Sequence, residues 1–123
     1  MADRVLIVED EPHVLSMLEF RLKQSGYDVL TAGSGTEALK KAREEDPKLI
    51  VLDVMMPPPN GYQVCRMLKD DAAKCHIPVI LLTARSTESD KFWGMESGAD
   101  DYVTKPYDVE ELINKIKSFL EKG

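Results

Sequence analysis

The sequence predicts a doubly wound α/β fold, a five-stranded parallel sheet with helices on both faces. Three observations carry this. Five short strand-like runs, Arg4–Val8, Asp28–Thr31, Leu49–Asp53, Pro78–Leu82 and Asp101–Thr104, alternate with helical patterns. The first, third and fourth runs are almost wholly apolar, as strands buried on both faces must be, which indicates parallel pairing. The strand–helix alternation occurs five times, a (βα)5 arrangement.

The helices justify themselves in order. Pro12 suits the first position of the first helix, where its missing N–H costs nothing, and Val14, Leu18 and Leu22 form its buried stripe. Ser34 with Glu37 has the spacing of a capping box for the second helix. Asn60 with Gln63 repeats it for the third, and Thr87 with Asp90 for the fourth. Asp108 with Glu111 opens the fifth, whose stripe is Val109, Leu112, Ile113, Ile116 and Phe119. Gly26 and Gly98 stand where a left-handed residue ends a helix.

Composition narrows the function. The chain has 123 residues, 43% of them hydrophobic, which fits one domain spanning residues 1–123. Its 16 basic and 22 acidic residues give a net charge of -6, so the domain has no electrostatic footprint for nucleic acid. No apolar run reaches the roughly 18 residues of a membrane span, and no signal peptide stands at the start. Cys65 and Cys75 make neither a disulfide framework nor a zinc site and read as reduced thiols of a cytoplasmic protein. His13 and His76 have no ligand partner in the pattern.

Right-handed crossovers place every strand's C-terminal end on one edge of the sheet, where such folds bind ligands. The first strand delivers Glu9 and Asp10 to that edge. The third delivers Asp53, the fourth Thr83 with Ala84 and Arg85 behind it, and the fifth Lys105 followed by Pro106. Taken singly, each has an ordinary explanation: a turn residue, a cap or a solvated charge. Four strand ends each bringing a suitable group argue otherwise. Clustered carboxylates raise one another's pKa unless a cation intervenes, and a few oxygen ligands with water suit Mg2+. Metal, lysine and hydroxyl around a central aspartate can stabilise a phosphoryl group, with Asp53 as nucleophile. Glu11, just before Pro12, belongs instead to the helix start, where its charge suits the helix dipole.

The segments VLIVEDE, LIVLDVMMPPPNG, PVILLTAR and GADDYVTKPY together resemble the receiver domain of two-component response regulators over essentially the whole chain. The strand order 2-1-3-4-5, flavodoxin-like, is the family's own and comes with the resemblance. The resemblance implies that Asp53 accepts a phosphoryl group from a sensor histidine kinase or a histidine phosphotransfer protein. It implies that Asp10, Asp53 and the Met55 carbonyl hold Mg2+ directly and that Glu9 reaches it through water. Thr83 and Lys105 would contact the phosphoryl group, the Lys105–Pro106 bond would be cis, and Tyr102 would be the aromatic switch. The protein would then be a phosphoacceptor switch, catalysing only its own phosphorylation and slow self-dephosphorylation. Two departures stand out. Glu9 replaces the aspartate of many members, and Pro57, Pro58 and Pro59 make a stiffer loop than usual, read as a rigid turn.

LTAR followed by GADDYVTKP is most similar to receivers of winged-helix transcription regulators, which dimerise through their fourth helix, fifth strand and fifth helix. The crossed charges would be Lys91 with Glu111 and Asp101 with Lys115. Trp93 is either an interface anchor or a partly buried edge residue. No output domain lies within these residues, which fits a stand-alone receiver or one from a longer regulator. A haloacid dehalogenase-type hydrolase would need an aspartate two residues after Asp53, where Met55 stands. A flavodoxin-like flavin carrier would need a phosphate loop where Glu9, Asp10 and Glu11 stand. An interaction module without phosphorylation would not need the complete set.

Overall fold

A computed structural model of the chain describes residues 2–83 and 97–122. In chain order it has β1 (Arg4–Val8), α1 (Pro12–Gln24), β2 (Asp28–Ala32), α2 (Gly35–Glu45), β3 (Leu49–Asp53), α3 (Gly61–Asp70), β4 (Val79–Thr83), β5 (Asp101–Thr104) and a C-terminal helix (Val109–Lys122). The C-terminal helix is the fifth helix of the sequence reading. The expected fourth, with Lys91, Phe92 and Trp93, lies outside the described residues, as do Ala84 and Arg85.

The five strands pair in parallel in the order β2-β1-β3-β4-β5. Strand alternation divides the core into two layers. Leu6, Val8, Ile50, Leu52, Val79 and Leu81 face α2 and α3, meeting Ala38, Ala42, Val64 and Leu68. Val5, Ile7, Leu49, Val51, Ile80 and Leu82 face α1 and the C-terminal helix, meeting Leu18, Leu22, Leu112, Ile113 and Ile116. Both faces of the central strands are therefore covered, the physical reason their sequence runs are unbroken apolar stretches.

The helix starts follow the expected chemistry only in part: at the C-terminal helix Asp108 Oδ1 accepts from the Glu110 N–H at 3.0 Å, not from Glu111. Glu11 caps α1, its side chain accepting from the His13 N–H at 3.2 Å. Asn60 and Gln63 form the full reciprocal box of α3, at 3.0 and 2.8 Å. In α2 the Ser34 hydroxyl accepts from the Glu37 N–H at 3.2 Å, but Glu37 accepts from Gly33 N at 2.9 Å rather than from Ser34. The more extended backbone at Ser34 (φ -154° against -76° at Asn60) turns its N–H out of reach. Gly26 (φ 96°) follows α1 and Gly98 (φ 81°) precedes β5, both left-handed. Asp46, not a glycine, ends α2 at φ 50°, with its carboxylate 3.1 Å from Lys74.

Two strand limits differ from expectation. β2 runs on to Ala32, whose carbonyl accepts from the Glu9 N–H at 3.1 Å. β4 is Val79–Thr83 rather than Pro78–Leu82. Pro78 has no N–H for a ladder, while Thr83 pairs with Thr104. Thr83 is thus the last residue of its strand, not the first beyond it. No helix among the described residues is long and apolar enough to cross a membrane.

Candidate functional site: an acidic cluster with one lysine

The sheet order reverses between β1 and β3, its topological switch point. Val8 pairs with Leu52, so Glu9, just past β1, and Asp53, the last residue of β3, stand side by side. Both are buried, Asp53 at 1% exposure and Glu9 at 3%, while Asp10 is exposed. One carboxylate oxygen from each of Glu9, Asp10 and Asp53 can be chosen so that all lie within 4.8 Å of one another.

Asp53 is held at both oxygens. Oδ1 accepts from the Met55 backbone N–H at 2.9 Å, and Oδ2 accepts from Lys105 Nζ at 2.6 Å. Lys105 reaches this point because its own N–H donates to the Thr83 carbonyl at 2.6 Å, fixing the end of β5 against β4. The Lys105–Pro106 peptide is cis, as the resemblance implied. Glu9 Oε1 accepts from the Glu11 N–H at 3.1 Å. Among the described residues its Oε2 is buried without a hydrogen-bond partner, 3.9 Å from Lys105 Nζ. Burial, with Asp53 beside it, pushes the Glu9 carboxyl up to about 8.

Among the described residues this arrangement has more negative charge than Lys105 balances. An orphaned buried carboxylate oxygen beside two further carboxylates is what a hard cation site looks like before the cation enters. The donor set fits Mg2+: all oxygen, few in number, with Asp10 open to water.

A family model described as the response regulator receiver domain matches residues 5–117. The chain belongs to the response regulator receiver domain family. Its role is that of a phosphoacceptor in two-component signalling. The receiver domain is 46% identical over 123 residues to the alkaline phosphatase synthesis transcriptional regulatory protein PhoP of Bacillus subtilis, covering 100% of this chain and 50% of that protein. It therefore spans about half the length of that relative, a transcriptional regulator as the subgroup resemblance implied. It superposes on the signal receiver domain of a signal transduction histidine kinase from Syntrophus aciditrophicus with TM-score 0.93 at 39% identity, covering 98% of this chain and 92% of that one. The receiver domain of a sensor histidine kinase from Pseudomonas aeruginosa, crystallised with magnesium in its active site cleft, gives TM-score 0.90 at 26% identity, covering 98% and 99% of the two chains.

The receiver's fold brings Glu9, Asp10, Asp53, Thr83 and Lys105 to one sheet edge, as the strand-end reading expected. Met55 contributes its backbone N–H, and the residue is 63% exposed at the rim. Tyr102 stands on β5 and is 37% exposed. Asp101 and Lys115, expected as charges crossing between two copies, form an ion pair of 2.9 Å within one chain; Glu111 is exposed on the C-terminal helix.

Two features escaped the sequence reading. Tyr107 lies close enough to feel the site: burial, then the Glu9 and Asp53 carboxylates, push its phenol up to about 12. Its place two residues after Lys105 was the available signal. Gly61 touches the site from below. A Cβ there would meet the Asp53 carbonyl oxygen at 2.5 Å and Val54 Cα at 2.7 Å. The Asn60-Gly61 pair in the sequence showed a helix start but not this close approach.

Proposed function

We propose that Asp53 is the phosphoacceptor, receiving a phosphoryl group from a histidine kinase or histidine phosphotransfer protein, and that the phosphorylated domain switches its output face. The single observation that carries this is the buried Asp53 carboxylate held between Met55 N–H and Lys105 Nζ, beside Glu9 and Asp10. Mg2+ would be held by Asp10, Asp53 and the Met55 carbonyl, with Glu9 through water, and when bound it neutralises charge on the transferring group. The magnesium in the cleft of the Pseudomonas relative supports that choice of ion.

The chain's own residues do the rest. Met55 N–H fixes the rotation of the Asp53 carboxylate, so a nucleophilic oxygen meets the donor in line. An Asp53 oxygen bonds to phosphorus as the phosphorus–nitrogen bond of the phosphohistidine breaks. Lys105 moves from the carboxylate to the phosphoryl oxygens, whose charge it balances. The Thr83 hydroxyl donates to another of those oxygens. The new group adds nearly two negative charges, and the Thr83 movement lets Tyr102 turn inward from its exposed position, reshaping the β5 and C-terminal helix face.

The domain is a switch rather than an enzyme with a separate substrate; it catalyses its own phosphorylation and slow self-dephosphorylation. It works in the cytoplasm, where kinase cores act, and binds no nucleic acid itself. The relative's role in transcription supports transcription as its output. Dimerisation would use the β5 and C-terminal helix face, with Lys91, Trp93 and Glu111 contributing. The Asp101–Lys115 pair would exchange its internal bridge for one across the dimer. As a half-buried pair at the surface it contributes on the order of 1 kcal/mol.

The test is intact mass after incubation with Mg2+ and acetyl phosphate. A single phosphoryl adduct that Asp53→Asn abolishes is expected. An adduct that survives in Asp53→Asn, or steady release of phosphate at enzyme-like rates, would overturn the reading.

A further inference from the structure

We propose that Gly35, at the start of α2, is a positioning residue for Asp53, acting through the proline loop as a stiff strut. This rests on the phosphoacceptor reading of Asp53. Gly35 is distant from the acidic cluster in sequence, yet close contacts join the two.

The first contact is at Gly35 itself, which is buried. A Cβ there would collide with the Pro59 carbonyl oxygen, with Pro59 Cγ at 2.8 Å and with Val64 Cγ2 at 2.8 Å. The carbonyl is backbone and cannot rotate aside as a side chain would. The second contact lies two residues further on. Gly61 packs so closely on β3 that a Cβ would meet the Asp53 carbonyl oxygen at 2.5 Å and Asp53 C at 2.9 Å. Between Pro59 and Gly61 lies only the helix cap Asn60, itself locked by two hydrogen bonds with Gln63. A displacement at Pro59 therefore reaches the backbone of Asp53.

The loop cannot absorb such a displacement. Pro57, Pro58 and Pro59 each have φ fixed by their rings. Upstream, Met56 N–H donates to the Val54 carbonyl at 2.9 Å, and Val54 N–H to the Leu82 carbonyl at 3.0 Å. The loop is thus anchored to the sheet at one end, pressed on α2 in the middle and seated on Asp53 at the other end. Met55, whose N–H orients the Asp53 carboxylate, lies inside it. The stiffness of the triple proline transmits the position of α2 to the nucleophile.

A merely structural role predicts lost stability from the same clash, but leaves the Met55 amide and the Mg2+ affinity of the folded protein unmoved. Gly33 supplies the control, since a Cβ there meets nothing within 4 Å.

The experiment compares wild type, Gly33→Ala, Gly35→Ala and Gly35→Ala/Pro58→Gly, each as the full chain. Three quantities are read: the Met55 amide resonance without metal, the affinity for Mg2+ alone, and the rate of adduct formation with acetyl phosphate. For Gly35→Ala the Met55 amide shifts, Mg2+ binds more weakly and the rate falls on the order of tenfold, as a misplaced nucleophile requires. Gly33→Ala matches wild type, and Pro58→Gly, by softening the strut, restores much of the loss. Unchanged Met55 resonance and Mg2+ affinity in folded Gly35→Ala, or no rescue in the double variant, would overturn the proposal. Should Gly35→Ala not fold, Pro58→Gly alone decides: faster hydrogen exchange at Met55 supports the strut, and unchanged exchange sinks it. The Met55 resonance needs neither metal nor phosphate, so failure of the phosphoacceptor reading, seen as no Asp53 adduct in wild type, is a separate result.

Discussion

Lys105 Nζ lies 2.6 Å from Asp53 Oδ2 and 3.9 Å from Glu9 Oε2, one ammonium set between two buried carboxylates. It occupies the region of charge that a divalent cation would share. Lys105→Met is therefore expected to have two opposite effects. Mg2+ binding tightens, because a competing cation is gone. Adduct formation with acetyl phosphate slows by about 100-fold, because charge on the transferring group loses its balance. Magnesium titration and intact-mass kinetics on the same samples check both; weaker Mg2+ binding in the variant would contradict this assignment.

Glu9 makes the metal-free domain pH-sensitive. Its carboxyl is raised from 4.5 to about 8 by burial and by Asp53. Below pH 4.5 folded and unfolded chains both hold the proton. Between 4.5 and about 8 the folded chain keeps a proton that the unfolded chain has lost. Stability therefore falls as pH rises through this window, with a slope of up to about 1.4 kcal/mol per unit. Denaturant titrations at pH 5 and pH 8 without metal measure it. Glu9→Gln should flatten the slope and stabilise the protein at pH 8 while changing little at pH 5. Saturating Mg2+ should also flatten it, by displacing the proton.

Lys69 ties α3 to the starts of two strands. Its Nζ donates to the Ile77 carbonyl at 2.8 Å, the Cys75 carbonyl at 3.2 Å and Asp100 Oδ2 at 2.8 Å. Asp100 Oδ2 also accepts from the Val79 N–H at 2.8 Å. Lys69→Met leaves several of these acceptors without a donor, and the expected loss is about 2–4 kcal/mol by chemical denaturation. A loss below about 0.5 kcal/mol would show that water replaces the ammonium at no cost.

The two thiols should separate cleanly. Cys75 is exposed, and Cys65 is buried with its thiol pushed up to about 11 by desolvation. A disulfide reagent at pH 8 is expected to modify one thiol in the native chain and both in denaturant. Mass mapping should place the native modification on Cys75, and rapid modification of Cys65 would contradict the packing of α3 against the sheet.

Much of the fold was legible because local patterns and the global fold agree. Unbroken apolar runs at Val5–Val8, Leu49–Leu52 and Val79–Leu82 can be satisfied only by strands covered on both sides, and both core layers are built from them. Strand ends can be read from sequence, and right-handed crossovers bring them together. Glu9, Asp10, Asp53, Thr83 and Lys105 therefore fall on one edge on the strength of the sequence. The capping partner of Glu37 was not legible, since it turns on one backbone torsion at Ser34.

Tertiary structure alone decided distances and burial. Nothing in the string of residues says that Glu9 Oε2 is orphaned, that Lys105 sits on Asp53 rather than in solvent, or that Asp101 finds Lys115 in its own chain. Nor does it say that Gly35 touches Pro59 and Gly61 touches Asp53. The physical reason is range. Periodicity, capping and strand ends are set by neighbours a few residues apart and can be read along the chain. Electrostatic balance and steric contact depend on groups that meet only when distant segments fold together, Lys105 upon Asp53 above all.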